Sequence, residues 1–308
     1  MTSEPAFIAA LRALATSPAA RGLADDAAVL DFGSEALVLT HDMMAQGVHW
    51  LPGQDAADVA WKLVAVNLSD LAAKGAEPQG VLLGYTLGDD DARFIAGLKQ
   101  ALEMFGVPLL GGDTVAAPSG GGTIAAPAGG GRTHGLTAIG RATHRPPPSR
   151  CGAKAGDEVW ITGPVGAAMM GYEALRDGTA ADSTAFRRPM PLLDAGRTLA
   201  PLVSAMMDVS DGLLLDATRL AQASGVTLAL AADAVPVAAA VPANRRDAAM
   251  RWGDDYQLLF TLPANRPVPP GIVSKGAVRI GTVLPEGAEP LLLDGRPISG
   301  PAGYIHGA

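Results

Sequence analysis

Cysteine, basic charge and long hydrophobic runs are scarce in this sequence, and each shortage excludes a class of protein. Cys151 is the only cysteine among 308 residues, so the chain forms neither an internal disulfide nor a cysteine-rich zinc site. Lys and Arg total 23 against 31 Asp and Glu, a formal net charge of -8, which repels nucleic acid and anionic lipid. No segment is apolar enough to cross a bilayer. We expect a cytoplasmic protein with no nucleic-acid and no membrane partner.

The familiar glycine-rich nucleotide loops are also missing. The nearest segment, TGPVGAAMMG at 162–171, matches neither G-x-x-x-x-G-K-[ST] nor G-x-G-x-x-G. Tight packing of a strand against a helix explains its glycines as well as an anion site does. A P-loop and a dinucleotide-binding fold therefore have no support.

What the sequence does contain is a mixed α/β (α+β) pattern with 48% hydrophobic residues. Apolar runs typical of strands alternate with patterns of helical period in both halves. In the first half the strands are predicted at 36–40, 80–87, 107–112 and 135–142, and the helices at 55–76 and 90–106. In the second half, DGLLLDATRLAQASG at 211–225 is predicted to be a helix that ends at Gly225, with Ser210 as its N-cap.

The length predicts two domains. Three consecutive prolines at 146–148 stiffen the chain before a new block of strands. We place the break near Ser149, giving domains 1–148 and 149–308. The Gly- and Ala-rich segment 116–131 is predicted to be a surface insertion and not a linker.

Carboxylates stand where burial is expected. In SAMMDVSDGLLLD, at 204–216, Asp208, Asp211 and Asp216 interrupt an apolar run that contains no Lys or Arg. A buried ionised carboxylate is costly unless it is paired or bound to a metal. The missing positive charge must come from elsewhere in the chain or from metal ions.

Other apolar runs also end in aspartate, which predicts one concave, acid-lined end of the fold. The aspartates concerned are Asp42, Asp70, Asp113, Asp208 and Asp211, and the pair Asp25 and Asp26 precedes a further apolar stretch. Oxygen ligands without His or Cys clustering favour Mg²⁺, and so many carboxylates favour several ions with a polyphosphate. Taken singly, each such aspartate is more often a turn or N-cap residue than a ligand, and the joint pattern is what favours a metal site.

Further candidates are ambiguous from the residues alone. The glycines of LLGGDT let backbone N–H groups approach a phosphate or simply form a turn. Arg141 is either a phosphate ligand or a solvated strand end. His49 and Asp254 are either substrate contacts or loop residues.

Taken together, eight motifs resemble the thiamine-monophosphate kinase family. They are DDAAVL, LTHDMMAQGVHW, WKLVAVNLSDLAAKGAEP, LLGGDT, IGRA, GAKAGDEVWITG, DVSDGLLLD and WGDDYQLLF, and with GYIH near the C-terminus they extend over nearly the whole chain. The resemblance implies an aminoimidazole-ribotide synthetase-like fold, with an N-terminal sheet domain that dimerises and a C-terminal α/β domain. It also implies direct transfer of the γ-phosphoryl of ATP to thiamine monophosphate, assisted by several Mg²⁺ ions.

The resemblance also implies roles for single residues. The implied metal ligands are Asp26, Thr40, Asp42, Asp70, Asp113, Asp208 and Asp211. Of these, Asp70 and Asp211 are assigned the catalytic role. The implied ATP contacts are Gly112, Asp113, Arg141 and Ser210, and the implied substrate contacts are His49, Asp254 and Tyr304.

Some positions depart from the family. Lys74 stands where the family usually has Met, and Asp254 where it usually has the longer Glu; His41 and Met43 replace Thr or Ser. These departures bear on substrate fit more than on ATP binding. Two alternatives stay open: another ATP-using enzyme of the same superfamily, or a catalytically silent protein that binds Mg-nucleotide.

Overall fold

The strands form a five-stranded sheet from the first half of the chain and a seven-stranded sheet from the second. The computed structural model describes residues 4–12, 14–116 and 132–305. The first sheet has the order β1-β2-β5-β3-β4, with β3 and β4 parallel and the other neighbours antiparallel. Its strands are β1 (Ala28–Phe32), β2 (Glu35–Ala45), β3 (Ala76–Leu87), β4 (Leu109–Ala116) and β5 (Thr133–Ala142).

The second sheet has the order β12-β11-β8-β10-β6-β9-β7. Its strands are β6 (Asp157–Ile161), β7 (Ala205–Asp208), β8 (Thr227–Leu230), β9 (Leu258–Pro263), β10 (Val278–Leu284), β11 (Leu291–Leu293) and β12 (Arg296–Pro297). The helices are α1 (Glu4–Arg12), α2 (Ala56–Ala73), α3 (Asp91–Phe105), α4 (Ala167–Arg176), α5 (Thr184–Arg187), α6 (Leu193–Leu199), α7 (Leu213–Ser224), α8 (Arg246–Trp252) and α9 (Pro270–Val273).

Helix α2 lies at the centre of the molecule. The side chain of Asp55 caps it by accepting a 2.9 Å hydrogen bond from the N–H of Ala57. Every residue of α2 except Asp70 is buried. Its last turn, through Ala72 and Ala73, belongs to a core cluster that also contains residues of the second sheet. Burial on all sides therefore explains why this helix is apolar around its whole circumference.

The predicted strands and helices of the first half are present, with longer strands than the apolar runs indicated. Helix α3 ends at Gly106, whose φ of +63° is the left-handed conformation expected of a glycine stop. The predicted break near Ser149 falls in the segment between β5 and β6. Of the predicted insertion, residues 117–131 lie outside the described residues.

One prediction about α7 is wrong. Ser210 was expected to cap this helix, but the helix begins at Leu213, after Gly212 with φ of +117°. The N–H groups of Ser210 and Asp211 instead donate to the side chain of Asp216 inside the helix. The turn at Gly212 displaces the helix start, and Asp216 supplies the acceptor that a capping serine would have given.

No helix in the described part of the chain combines the length and apolar character that a bilayer span requires.

Candidate active site

A cavity of about 1020 Å³ opens between the two halves of the chain, and its wall is acidic. The carboxylates in the wall are Asp25, Asp26, Asp42, Asp70, Asp208, Asp211 and Asp254. Ser210, His49 and Tyr304, also predicted from the sequence, line the same cavity. The structure thus brings together aspartates that are separated by more than two hundred residues in the sequence.

Two hydroxyl groups, one on α2 and one on β2, hold two of these carboxylates in place. Ser69, which is fully buried, donates a 2.6 Å hydrogen bond from Oγ to Oδ2 of Asp208 at the end of β7. Thr40 on β2 donates to Asp70. Thr40, a metal ligand in the sequence-based prediction, thus lies beside the acidic group, with its hydroxyl engaged by a carboxylate.

The donor set fits a hard divalent ion. Asp26, Asp70 and Asp208 each present one carboxylate oxygen, and these oxygens lie within 4.8 Å of one another. No Lys or Arg among the described residues forms a salt bridge with Asp42, Asp70 or Asp208. Clustered carboxylate oxygens without sulfur or imidazole suit Mg²⁺ better than zinc.

The acid–base equilibria of these groups reflect the shortage of positive charge. Burial raises the pKa of Asp42 to about 6, and the charges of Asp211 and Asp26 add to the effect. Burial, together with the charge of Asp26, raises the pKa of Asp208 to about 8. Burial and the neighbouring carboxylates also raise the pKa of Asp70 well above its usual value. A bound cation would favour the ionised forms.

The pair Asp25 and Asp26 is neutralised differently. Lys74, whose side chain is fully buried, places Nζ 2.5 Å from Asp25 and 2.5 Å from Asp26. Arg150 donates a 2.6 Å hydrogen bond from Nε to Oδ1 of Asp26. Burial opposes ionisation of Asp25, but Lys74 and Arg21 outweigh it and hold the pKa of Asp25 well below its usual range.

Arg219 supplies part of the positive charge that the run at 204–216 lacks. It forms a salt bridge with Asp211 and another, at 3.0 Å, with Asp216. The chain itself therefore balances two of the three aspartates in that run, and Asp208 is left with the hydroxyl of Ser69.

A second polar group lies around Asp254. Lys62, almost completely buried within α2, forms a 2.8 Å ion pair with Asp254 and donates a 3.0 Å hydrogen bond to the carbonyl of His49. The hydroxyl of Tyr256 donates to Asp254 at 2.8 Å. Asp254 and Tyr256 both have positive φ, at 57° and 49°, a strained conformation for residues with side chains.

Aromatic rings complete this part of the wall. Tyr172 lies between Phe186 and Trp252, with ring centroids 5.4 Å and 5.0 Å away. Nζ of Lys62 lies 3.8 Å from the centroid of Phe186. All four residues line the cavity, which therefore has an acidic part and an aromatic part.

Three predicted nucleotide contacts are not among the residues that line the cavity. Gly112 and Asp113 lie on the exposed edge strand β4. Arg141 lies exposed on β5 and forms a 2.7 Å ion pair with Glu77.

Several residues of the wall are not among those that the sequence motifs predict to be functional. They are Lys62, Arg150, Tyr172, Phe186, Arg219 and Trp252. One of them had a signal, because Lys62 is a cation within a long apolar helix. The others come from loops and helices whose positions depend on the tertiary fold.

The comparisons with known proteins agree with this architecture. The family model of the AIR synthase related protein N-terminal domain matches residues 24–142, and that of the C-terminal domain matches residues 154–287. The thiamine-monophosphate kinase of Salmonella typhimurium is 35% identical over 260 residues, which are 79% of this chain and 76% of that protein. The thiamine-monophosphate kinase of Aquifex aeolicus is 30% identical over 303 residues, 92% of each chain.

A solved structure has a similar fold. "AaThiL complexed with AMPPCP and TMP" superimposes with a TM-score of 0.85 at 28% identity, over 99% of this chain and 97% of that one. The predicted two-domain, aminoimidazole-ribotide synthetase-like fold is confirmed. The chain belongs to the thiamine-monophosphate kinase family of the AIR synthase related proteins.

Proposed function

We propose that this protein transfers the γ-phosphoryl group of ATP to the phosphate of thiamine monophosphate, giving thiamine diphosphate and ADP. Relatives named for this activity and a structural neighbour that binds an ATP analogue and TMP support the proposal. The observation that carries it is that Asp42, Asp70 and Asp208 line the cavity between the domains without a salt bridge from the described residues. Oxygens of Asp70 and Asp208 lie within 4.8 Å of each other and of Asp26.

We propose that Asp42, Asp70, Asp208 and Asp211 hold Mg²⁺. When bound, Mg²⁺ neutralises charge on the reacting phosphates of two anions that otherwise repel each other. In this arrangement Asp70 and Asp211 act as catalytic residues through the ions they hold. Ser69 and Thr40 keep two of the carboxylates in place.

The attacking group in this reaction is a phosphate oxygen that is already ionised near neutral pH, so direct in-line displacement requires no strong general base. The cavity wall accordingly needs positioning groups more than proton acceptors. We propose that Asp254, His49 and Tyr304 contact thiamine monophosphate. The rings of Tyr172 and Trp252 would pack against its cationic heteroaromatic part, because aromatic faces attract cations.

We also propose that the protein works as a homodimer. The first sheet exposes apolar side chains, among them Met43, Leu82, Leu110 and Val115. Gly112, Asp113 and Arg141 lie on strands of this sheet, and we propose that they contribute to the nucleotide site of the dimer.

The test is to measure ADP release with ATP and Mg²⁺ in the presence of thiamine monophosphate, thiamine or no acceptor. Release that depends on the monophosphate, with matching thiamine diphosphate, supports the proposal. Asp208→Asn should abolish turnover, whereas Asp247→Asn, at an exposed carboxylate on α8, should not. Nucleotide binding without acceptor-dependent turnover would instead support a silent nucleotide-binding protein.

A further inference from the structure

Lys74 is a fixed positive charge behind the acidic wall of the cavity. It directly follows α2, and its side chain has no exposed surface. Its Nζ lies 2.5 Å from a carboxylate oxygen of Asp25, 2.5 Å from one of Asp26, and 3.4 Å from the carbonyl oxygen of Met206. Nζ donates hydrogen bonds to the oxygens of Asp25 and Met206, whereas Oδ2 of Asp26 is in ion-pair contact with Nζ and has no hydrogen-bond partner among the described residues.

Asp26 has positive charge on both of its oxygens. Lys74 is close to Oδ2, and the guanidinium of Arg150 binds Oδ1. This distinguishes Asp26 from Asp70 and Asp208, the other two members of the group whose oxygens lie within 4.8 Å of one another. Those two receive hydrogen bonds from neutral hydroxyl groups. The three carboxylates lie close to one another, but they differ in charge environment, because in the described part of the chain Asp26 alone of the three is paired with cations.

A divalent ion bound to Asp26 would have to share that carboxylate with two cations. In a buried site of low dielectric the repulsion between them is poorly screened. Moving Lys74 away from Asp26 would cost free energy, because the buried carboxylate of Asp25 would then keep Arg21 as its one salt-bridge partner among the described residues.

We propose that Lys74 takes the place of a divalent ion at Asp26, so that this chain holds one metal ion fewer than it would with an apolar residue at position 74. This inference rests on the proposed metal-binding role of the cavity. The ligands of the remaining ions are then Asp42, Asp70 and Asp208, which have no salt bridge from the described residues, and Asp211, which shares one oxygen with the single cation Arg219. Lys74 is a positioning residue in this scheme, because it acts through the carboxylates and does not reach the cavity.

The test counts bound metal. Wild type, Lys74→Met and a control, Lys275→Met at an exposed lysine, are titrated with Mn²⁺ in the presence of AMPPCP, and free Mn²⁺ is followed by its electron paramagnetic resonance signal. We expect Lys74→Met to bind one more Mn²⁺ per chain than wild type and the control to match wild type. Equal counts in wild type and Lys74→Met overturn the inference. Failure of all three to bind Mn²⁺ overturns the proposed metal site and, with it, this inference.

A second measurement does not depend on the variant folding. Crystals of the wild-type protein grown with Mn²⁺ and AMPPCP should show anomalous scattering peaks bonded to Asp70 and Asp208. No peak should be bonded to Asp26, and Lys74 should keep its contacts. A Mn²⁺ ion bonded to Asp26 with Lys74 displaced would contradict the inference while leaving the kinase proposal intact.

Discussion

Ser69 and Asp208 connect the two halves of the molecule by a 2.6 Å hydrogen bond. Ser69 is completely buried, and Asp208 is almost completely buried. Ser69 is in the last turns of α2, and Asp208 ends β7 of the second sheet. This one hydroxyl therefore has two effects. It forms a contact between the two halves of the chain, and it orients Asp208, a proposed metal ligand.

We predict that Ser69→Ala destabilises the protein by about 1–3 kcal/mol, because it leaves a buried carboxylate without its hydroxyl donor. The apparent affinity for Mg²⁺ should fall as well. Chemical unfolding and Mg²⁺-dependent turnover measure the two effects. Ser274→Ala, at an exposed serine, is the matched control and should change neither. A Ser69→Ala protein with wild-type stability would show that the bond contributes little.

Lys62 and Asp254 provide a second prediction, on stability. Asp254→Asn leaves the buried charge of Lys62 without its partner, a loss that costs about 3–5 kcal/mol. Lys62→Met leaves Asp254, whose side chain is 22% exposed and still accepts from Tyr256, and should cost less. Lys62→Met together with Asp254→Asn should recover part of the loss, because neither charge is then left alone. Unfolding free energies of the two single variants and the double variant form the cycle. Strict additivity of the two losses would argue against an energetic pairing.

The acidic cavity should bind Mg²⁺ more tightly as pH rises. With Asp42 at a pKa of about 6 and Asp208 at about 8, these carboxyls hold protons at pH 6 that the ion must displace. We predict increasing affinity from pH 6 to pH 8, with proton release. Calorimetry without nucleotide, in two buffers of different ionisation enthalpy, measures both. Affinity independent of pH, with no proton release, would be inconsistent with these shifts.

The same groups set a pH dependence of stability in the metal-free protein. Their pKa values are higher in the folded state than the value near 4 expected in the unfolded chain. The folded state therefore binds more protons, and stability falls as pH rises from about 4 to 8. Saturating Mg²⁺ should offset this loss. Thermal unfolding across that range, with and without Mg²⁺, provides the measurement.

Trp252 offers a prediction about substrate specificity. Its ring packs 5.0 Å from that of Tyr172 in the cavity wall. Loss of an aromatic contact with a cationic ring is worth about 0.5–2 kcal/mol, so Trp252→Ala should raise KM for thiamine monophosphate by roughly 2- to 30-fold. The KM for ATP should not change, and Trp252→Phe should retain most of the affinity. An equal rise in both KM values would indicate a general structural effect.

Local patterns in the sequence were sufficient to predict most elements around the site. The helical apolar period predicts α2, and the glycine stop at Gly106 predicts the end of α3. The convergence of Asp42, Asp70 and Asp208 was also predictable, because buried elements that end in carboxylates tend to meet at one edge. The start of α7 was not, since the turn at Gly212 depends on its close packing against the backbone of Arg251 in the last turn of α8.

The cations of the site were harder to predict. Arg150 and Lys74 meet Asp26 from segments that are distant in the sequence, and no local pattern shows that a salt bridge will form. The family resemblance supplied Asp26 as a metal ligand without its pairing. The pairing of charges in a buried cavity depends on the tertiary structure. The sequence lists the charged residues but does not show which of them will pair.

The most direct measurement incubates the protein with Mg²⁺, thiamine monophosphate and ATP that carries a radioactive label in its γ-phosphate, and then locates the label. We predict that the label appears in the terminal phosphate of thiamine diphosphate, in step with ADP, and that none is found on the protein. Label released as inorganic phosphate without thiamine diphosphate would contradict the kinase assignment. Label bound covalently to the protein and then passed to the acceptor would contradict direct transfer.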